Sequence, residues 1–157
     1  MSIVIQKFGG TSVSTAEGRL AAVKKVEAAL AAGDTPAVVV SAMGRRGAPY
    51  ATDTLAGLIA SEGEDDWRRD RDLLMSCGEL ISCAVFADCL RSTGHAACAM
   101  SGAQAGIITD EGFGQGQCIR LEPAELKRRM QRCIPVVAGF QGISLDGEIV
   151  TLGRGGS

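Results

Sequence analysis

Short apolar runs alternate with longer stretches of helical periodicity along the chain, and the order they predict is βαβα. Ile3 to Phe8 reads as a buried strand broken by Gly9 and Gly10. Ser14 to Ala32 reads as a helix: Ser14 and Glu17 have the spacing of a capping box, and Leu20, Val23 and Leu30 share its inner side. Gly33-Asp34 ends that helix, and residues 37–41 form a second buried strand, followed by a glycine- and proline-bearing loop from Met43 to Ala51. Residues 53–61 suggest a short helix, 61–66 a polar turn, and 67–92 one long helix or two abutting ones. A strand is expected at 96–100, a long glycine-rich connection at 101–117 and a short strand at 118–121. Pro123 suits the first position of a helix running to Gln131, with Lys127, Arg128 and Arg129 towards its C-terminal end. Strands at 134–138 and 148–152 complete the pattern.

Such alternation implies an α/β fold, a three-layer αβα sandwich whose mostly parallel sheet is covered on both faces. Ligands of these sheets bind beyond the C-terminal strand ends. Glycine-rich segments follow the strands at 3–8, 37–41, 134–138 and 148–152. The run Trp67 to Asp72 alternates in charge sign and reads as a solvated face.

Composition narrows the classes. The chain has 157 residues, one domain's worth, with 46% hydrophobic and 22% charged residues. A net charge of −2 gives no general attraction to nucleic acid or to an anionic membrane, so any anion must be held locally. The six cysteines, Cys77, Cys83, Cys89, Cys98, Cys118 and Cys133, form no CxxC pair, and the single His95 has no ligand-like spacing to them. They read as reduced small side chains, with no protein-borne metal site. The N-terminus lacks a secretory pattern and no apolar stretch reads as membrane-spanning, so a cytoplasmic protein is expected.

Four segments can carry chemistry. Lys7-Phe8-Gly9-Gly10 sits at a strand-to-helix turn, where paired glycines turn backbone amides to an anion and Lys7 adds a full charge. A tight turn with a surface lysine is the plain alternative. Ser41 ends a buried strand, where its hydroxyl can meet a ligand; Thr52 fits either a ligand contact or a helix cap. Glu79 lies on a helix that is apolar nearly all round, so partial burial is expected, with either an arginine partner or a substrate amino group. Gly153 to Ser157 reads as an anion cradle in which Arg154 binds a carboxylate bidentately, or as a glycine-rich tail.

In register along residues 3–157 these segments resemble the aspartate kinases of the amino-acid kinase family. The carriers are Lys7 to Val13 (KFGGTSV), Val38 to Gly44 (VVVSAMG), Leu73 to Ser82 (LLMSCGELIS), Ser101 to Gly106 (SGAQAG), Val137 to Gly142 (VAGFQG) and Leu152 to Ser157 (LGRGGS). Gly44 to Asp53 looks most like the single-function Bacillus-type enzymes. The resemblance implies ATP-dependent phosphorylation of L-aspartate, the first step towards lysine, threonine and methionine, with Mg²⁺ accompanying ATP. It implies that Lys7, Phe8, Gly9, Gly10 and Ser41 bind ATP, Lys7 with Gly9 and Gly10 holding its phosphates and Ser41 beside their path, with Lys7 and Arg154 catalytic. Thr52, Glu79, Arg154, Gly155, Gly156 and Ser157 would then bind aspartate, Glu79 meeting its ammonium group. In this family GRGGS is followed by a catalytic aspartate, the nucleotide-base part of the kinase domain and ACT regulatory domains. Residues 1–157 are thus expected to be the N-terminal part of a kinase domain whose full-length enzyme is a homo-oligomer. Another amino-acid kinase, or a non-catalytic aspartate-binding module, are the competing readings.

Overall fold

The computed structural model describes residues 2–59 and 65–153. Its elements are β1 (Ile3–Phe8), α1 (Gly10–Val13), α2 (Ala16–Ala31), β2 (Thr35–Val40), α3 (Thr52–Ala56), α4 (Asp65–Ser92), β3 (Ala97–Met100), β4 (Ile107–Thr109), β5 (Cys118–Leu121), α5 (Ala124–Met130), β6 (Ile134–Ala138), β7 (Gln141–Ile143) and β8 (Ile149–Thr151).

β1, β2, β6 and β3 form, in that order, a wholly parallel sheet. Its centre is a valine lattice, as β-branched side chains suit a sheet buried on both faces. Val38, Val40, Val136 and Ala138 pack with Val23 and Val26 of α2 and with Cys83, Phe86, Ala87 and Leu90 of α4. Across the sheet a smaller cluster of Met100, Ala105 and Val137 is covered by Leu126 of α5. Helices therefore cover both faces, as the alternation requires.

The pairing corrects several expectations. β1 is an edge strand, and Ile3 and Ile5 are more than half exposed because no described residue covers that face. Helix α2 is capped by Thr15, whose hydroxyl accepts from Gly18 N at 3.0 Å, while Ser14 donates to Thr11 O. Leu20 is exposed, whereas Val23 is buried and Leu30 packs against the core as expected, with Ala22 and Val26 completing the buried face. Residues 101–117 contain β4, and residues 141–143 form a strand. With β5 and β8 these build a second, mixed sheet in the order β5-β4-β7-β8, so the last predicted strand belongs to it. The polar turn expected at 61–66 falls largely outside the described residues.

One continuous helix, α4, joins the two sheets by packing on β3 and β6 of the first and on β8 of the second. Its segment Trp67–Ser92 is long and apolar enough to cross a bilayer by length and composition, contrary to the sequence-based expectation. Here half of that apolar stretch is buried inside the fold, between the two sheets. Asp72, expected on a solvated face, is buried and makes the junction: it accepts from Gly114 N (2.9 Å), Thr151 N (2.7 Å) and Thr151 Oγ1 (2.7 Å). Alternating charge marks exposure only on average. Here residue 72 falls on the helix face turned to β8.

Candidate active site

The parallel register aligns Phe8 with Val40 and Val40 with Ala138, so three strands end at one rim. The chain leaves each end in a glycine-bearing turn, and the turns are tied together. Ser41 N donates to Phe8 O (3.1 Å), Gly44 N to Gly10 O (3.0 Å) and Gly139 N to Val40 O (2.9 Å). Gly10 is required by this closeness: a Cβ there would overlap the Ala42 carbonyl oxygen and come within 2.9 Å of Gly44 O. Gly78 does the same for α4, since a Cβ would stand 2.7 Å from Tyr50 O.

Beneath the turns lies an open cavity of about 560 Å³. Ser41, Thr52 and Glu79 line it, so three of the sequence-derived candidates converge. Glu79 is buried with only 2% of its surface exposed. Its Oε1 accepts from Ala42 N at 3.1 Å and from Thr52 Oγ1 at 3.5 Å, while Oε2 is buried without a partner among the described residues. Burial pushes its carboxyl up to about 7, with the Ala42 and Thr52 hydrogen bonds pulling the other way. Thr52 is the first residue of α3 rather than its cap, which is Ala51.

The remaining candidates divide. Lys7 is exposed on β1, one residue before the rim, and does not line the cavity. Gly9 and Gly10 join it to the cavity wall through the Gly10–Gly44 bond. Phe8 turns its ring into the core against Phe86, at a centroid distance of 5.6 Å; only its backbone belongs to the rim. Arg154, Gly155, Gly156 and Ser157 lie outside the described residues.

Sequence reasoning assigns no role to Arg45, Arg46, Asp53 or Phe140, which also line the cavity. Both arginines are exposed on the loop after β2, and adjacent cations in a glycine-bearing loop are the available signal. Phe140 adopts φ 61°, the left-handed region, which costs a non-glycine residue about 1–2 kcal/mol. Leu152, just after β8, holds it there, as its N donates to Phe140 O at 2.9 Å. The cavity thus brings two exposed arginines together with the acids Asp53 and Glu79, of which Glu79 is buried.

Known proteins share this sequence and fold. The chain is 45% identical to aspartokinase 1 of Bacillus subtilis over 158 aligned residues, which cover all of the chain and 39% of that protein. It is 39% identical to the aspartokinase of Geobacillus stearothermophilus, covering all of the chain and 38% of that protein. Among solved structures, aspartate kinase from Synechocystis superposes with a TM-score of 0.75 at 38% identity, over 99% of this chain and 24% of that one. The chain thus spans about two fifths of the curated relatives' length. The sequence profile of the amino acid kinase family matches residues 2–157, and with that match the chain belongs to the amino acid kinase family.

Proposed function

We propose that this chain supplies the substrate side and one phosphate loop of an aspartate kinase, which transfers the γ-phosphoryl group of ATP to the side-chain carboxylate of L-aspartate. The observation that carries the reading is Glu79. A buried acid with one oxygen bonded and the other unpartnered is costly unless a cation completes it. An α-ammonium entering the cavity would supply that partner and would draw the carboxyl into its ionised form. Thr52 stands beside Glu79, its hydroxyl 3.5 Å from Oε1.

Phosphoryl transfer needs positioning and charge neutralisation more than covalent help. The amides of Gly9 and Gly10 and the ammonium of Lys7 suit the phosphates, with Ser41 beside their path. Arg45 and Arg46 make the cavity mouth electropositive, which favours two anionic substrates. Arg154 to Ser157 would hold an aspartate carboxylate. Mg²⁺ would enter with ATP on phosphate oxygens and offset their charge. The protein would act in the cytoplasm at the head of lysine, threonine and methionine synthesis, as part of a kinase domain in a homo-oligomer.

The test is capture of the acyl phosphate as its hydroxamate, using the polypeptide that the gene encodes. Aspartate with Mg-ATP is expected to give hydroxamate, and glutamate, carbamate and acetylglutamate are not. Hydroxamate from glutamate alone would move the assignment to another acceptor. Calorimetric binding of aspartate with no turnover would support a non-catalytic binding module.

A further inference from the structure

At the rim opposite the cavity, Cys98 near the start of β3 and Cys133 just ahead of β6 bring their sulfurs within 3.0 Å, although 35 positions separate them. The parallel register accounts for this, because Ala97 pairs with Ile134 and Cys98 with Pro135. Both thiols are free and half-buried, so a small oxidant can reach them while the sheet holds them together. The separation is about 1 Å more than the sulfur–sulfur bond of a disulfide, so closure asks little of the backbone. Neither residue has a part in the proposed phosphoryl transfer.

We infer that Cys98 and Cys133 are a modification site, a dithiol that small-molecule disulfides convert reversibly to an intramolecular disulfide. Burial, followed by the hydrogen bond to Cys98, pushes the Cys133 thiol up to about 11. Cys98 therefore attacks first. Arg129, bound chiefly to Glu125, also touches Cys98. The Cys98 thiolate attacks one sulfur of the small disulfide, forming a mixed disulfide and expelling one thiolate. Cys133 gives its proton to solvent, attacks the Cys98 sulfur and expels the second thiolate. Two electrons pass from the protein dithiol to the small disulfide, which leaves as two thiols.

Oxidised glutathione is the probe, applied to the intact chain, followed by alkylation, trypsin and mass spectrometry. Cys98 lies in peptide 92–120 with Cys118, and Cys133 is the only cysteine of peptide 133–154. The expected product links these two peptides, persists in Cys118→Ser and is undone by dithiothreitol. It should raise the melting temperature by roughly 5–10 °C, since it closes a long loop. Cys133→Ser should instead trap glutathione on Cys98. The inference is overturned if both thiols stay free to alkylation, if each carries its own glutathione, or if the link is lost in Cys118→Ser.

Discussion

Replacing Glu79 by glutamine probes the buried acid directly. In the free protein its carboxyl is held near 7 by burial, against 4.5 for an unburied group. A raised folded-state value means that the neutral form stabilises the fold. That contribution is complete below about pH 4.5 and is lost as the pH rises through about 7, a change of roughly 3 kcal/mol. Ligand binding runs the other way, because an ammonium group needs the ionised acid. Aspartate affinity should therefore climb from acid pH and level off above about pH 8, about tenfold below its plateau at pH 6 and about a hundredfold below it at pH 5. Glutamine retains an acceptor for Ala42 N but cannot ionise. Glu79→Gln should flatten both profiles and lower the plateau affinity by roughly 30- to 100-fold, the loss of a hydrogen bond to a charged group. Titration calorimetry with aspartate between pH 5 and 8, beside thermal melts of both proteins, measures each part. A wild-type affinity that does not change with pH, or a variant that follows the same curve, would refute this account of the acid.

Asp72→Ala removes the acceptor of three hydrogen bonds and leaves Gly114 N, Thr151 N and Thr151 Oγ1 without this partner. A loss of about 2–4 kcal/mol is expected, read as a lower urea midpoint; an unchanged midpoint would show that the two sheets do not depend on this junction. Gly10→Ala must push the first turn away from Ala42 and Gly44. It should cost about 1–3 kcal/mol and weaken nucleotide binding more than aspartate binding, which a paired titration would check. Lys7→Ala in the complete enzyme should lower kcat by roughly a hundredfold or more with little change in aspartate affinity. A rate equal to wild type would remove Lys7 from phosphoryl transfer.

Part of the candidate site is legible in the amino-acid order alone. Ser41 and Glu79 of the cavity stand out, with Gly9 and Gly10 beside it, because each is a glycine break or polar residue set against an apolar run, a local signal. Arg45, Arg46 and Phe140 do not stand out, since loop cations are common and a left-handed aromatic has no mark of its own in the chain. Asp72 misleads for a similar reason: its neighbours set the local charge pattern, while its burial depends on Thr151, 79 positions away.

Hydrophobic period and glycine placement are enough to specify the α/β order, the parallel valine strands and the turns at their ends, because these follow from side chains within a few residues of one another. Which surfaces meet is another matter. The exposed face of β1, the mixed second sheet and the convergence of three separate turns over Glu79 all arise from pairings between distant segments. Periodicity tells which face of an element is apolar, but it carries no information on what will cover that face, and chain folding alone supplies the partner.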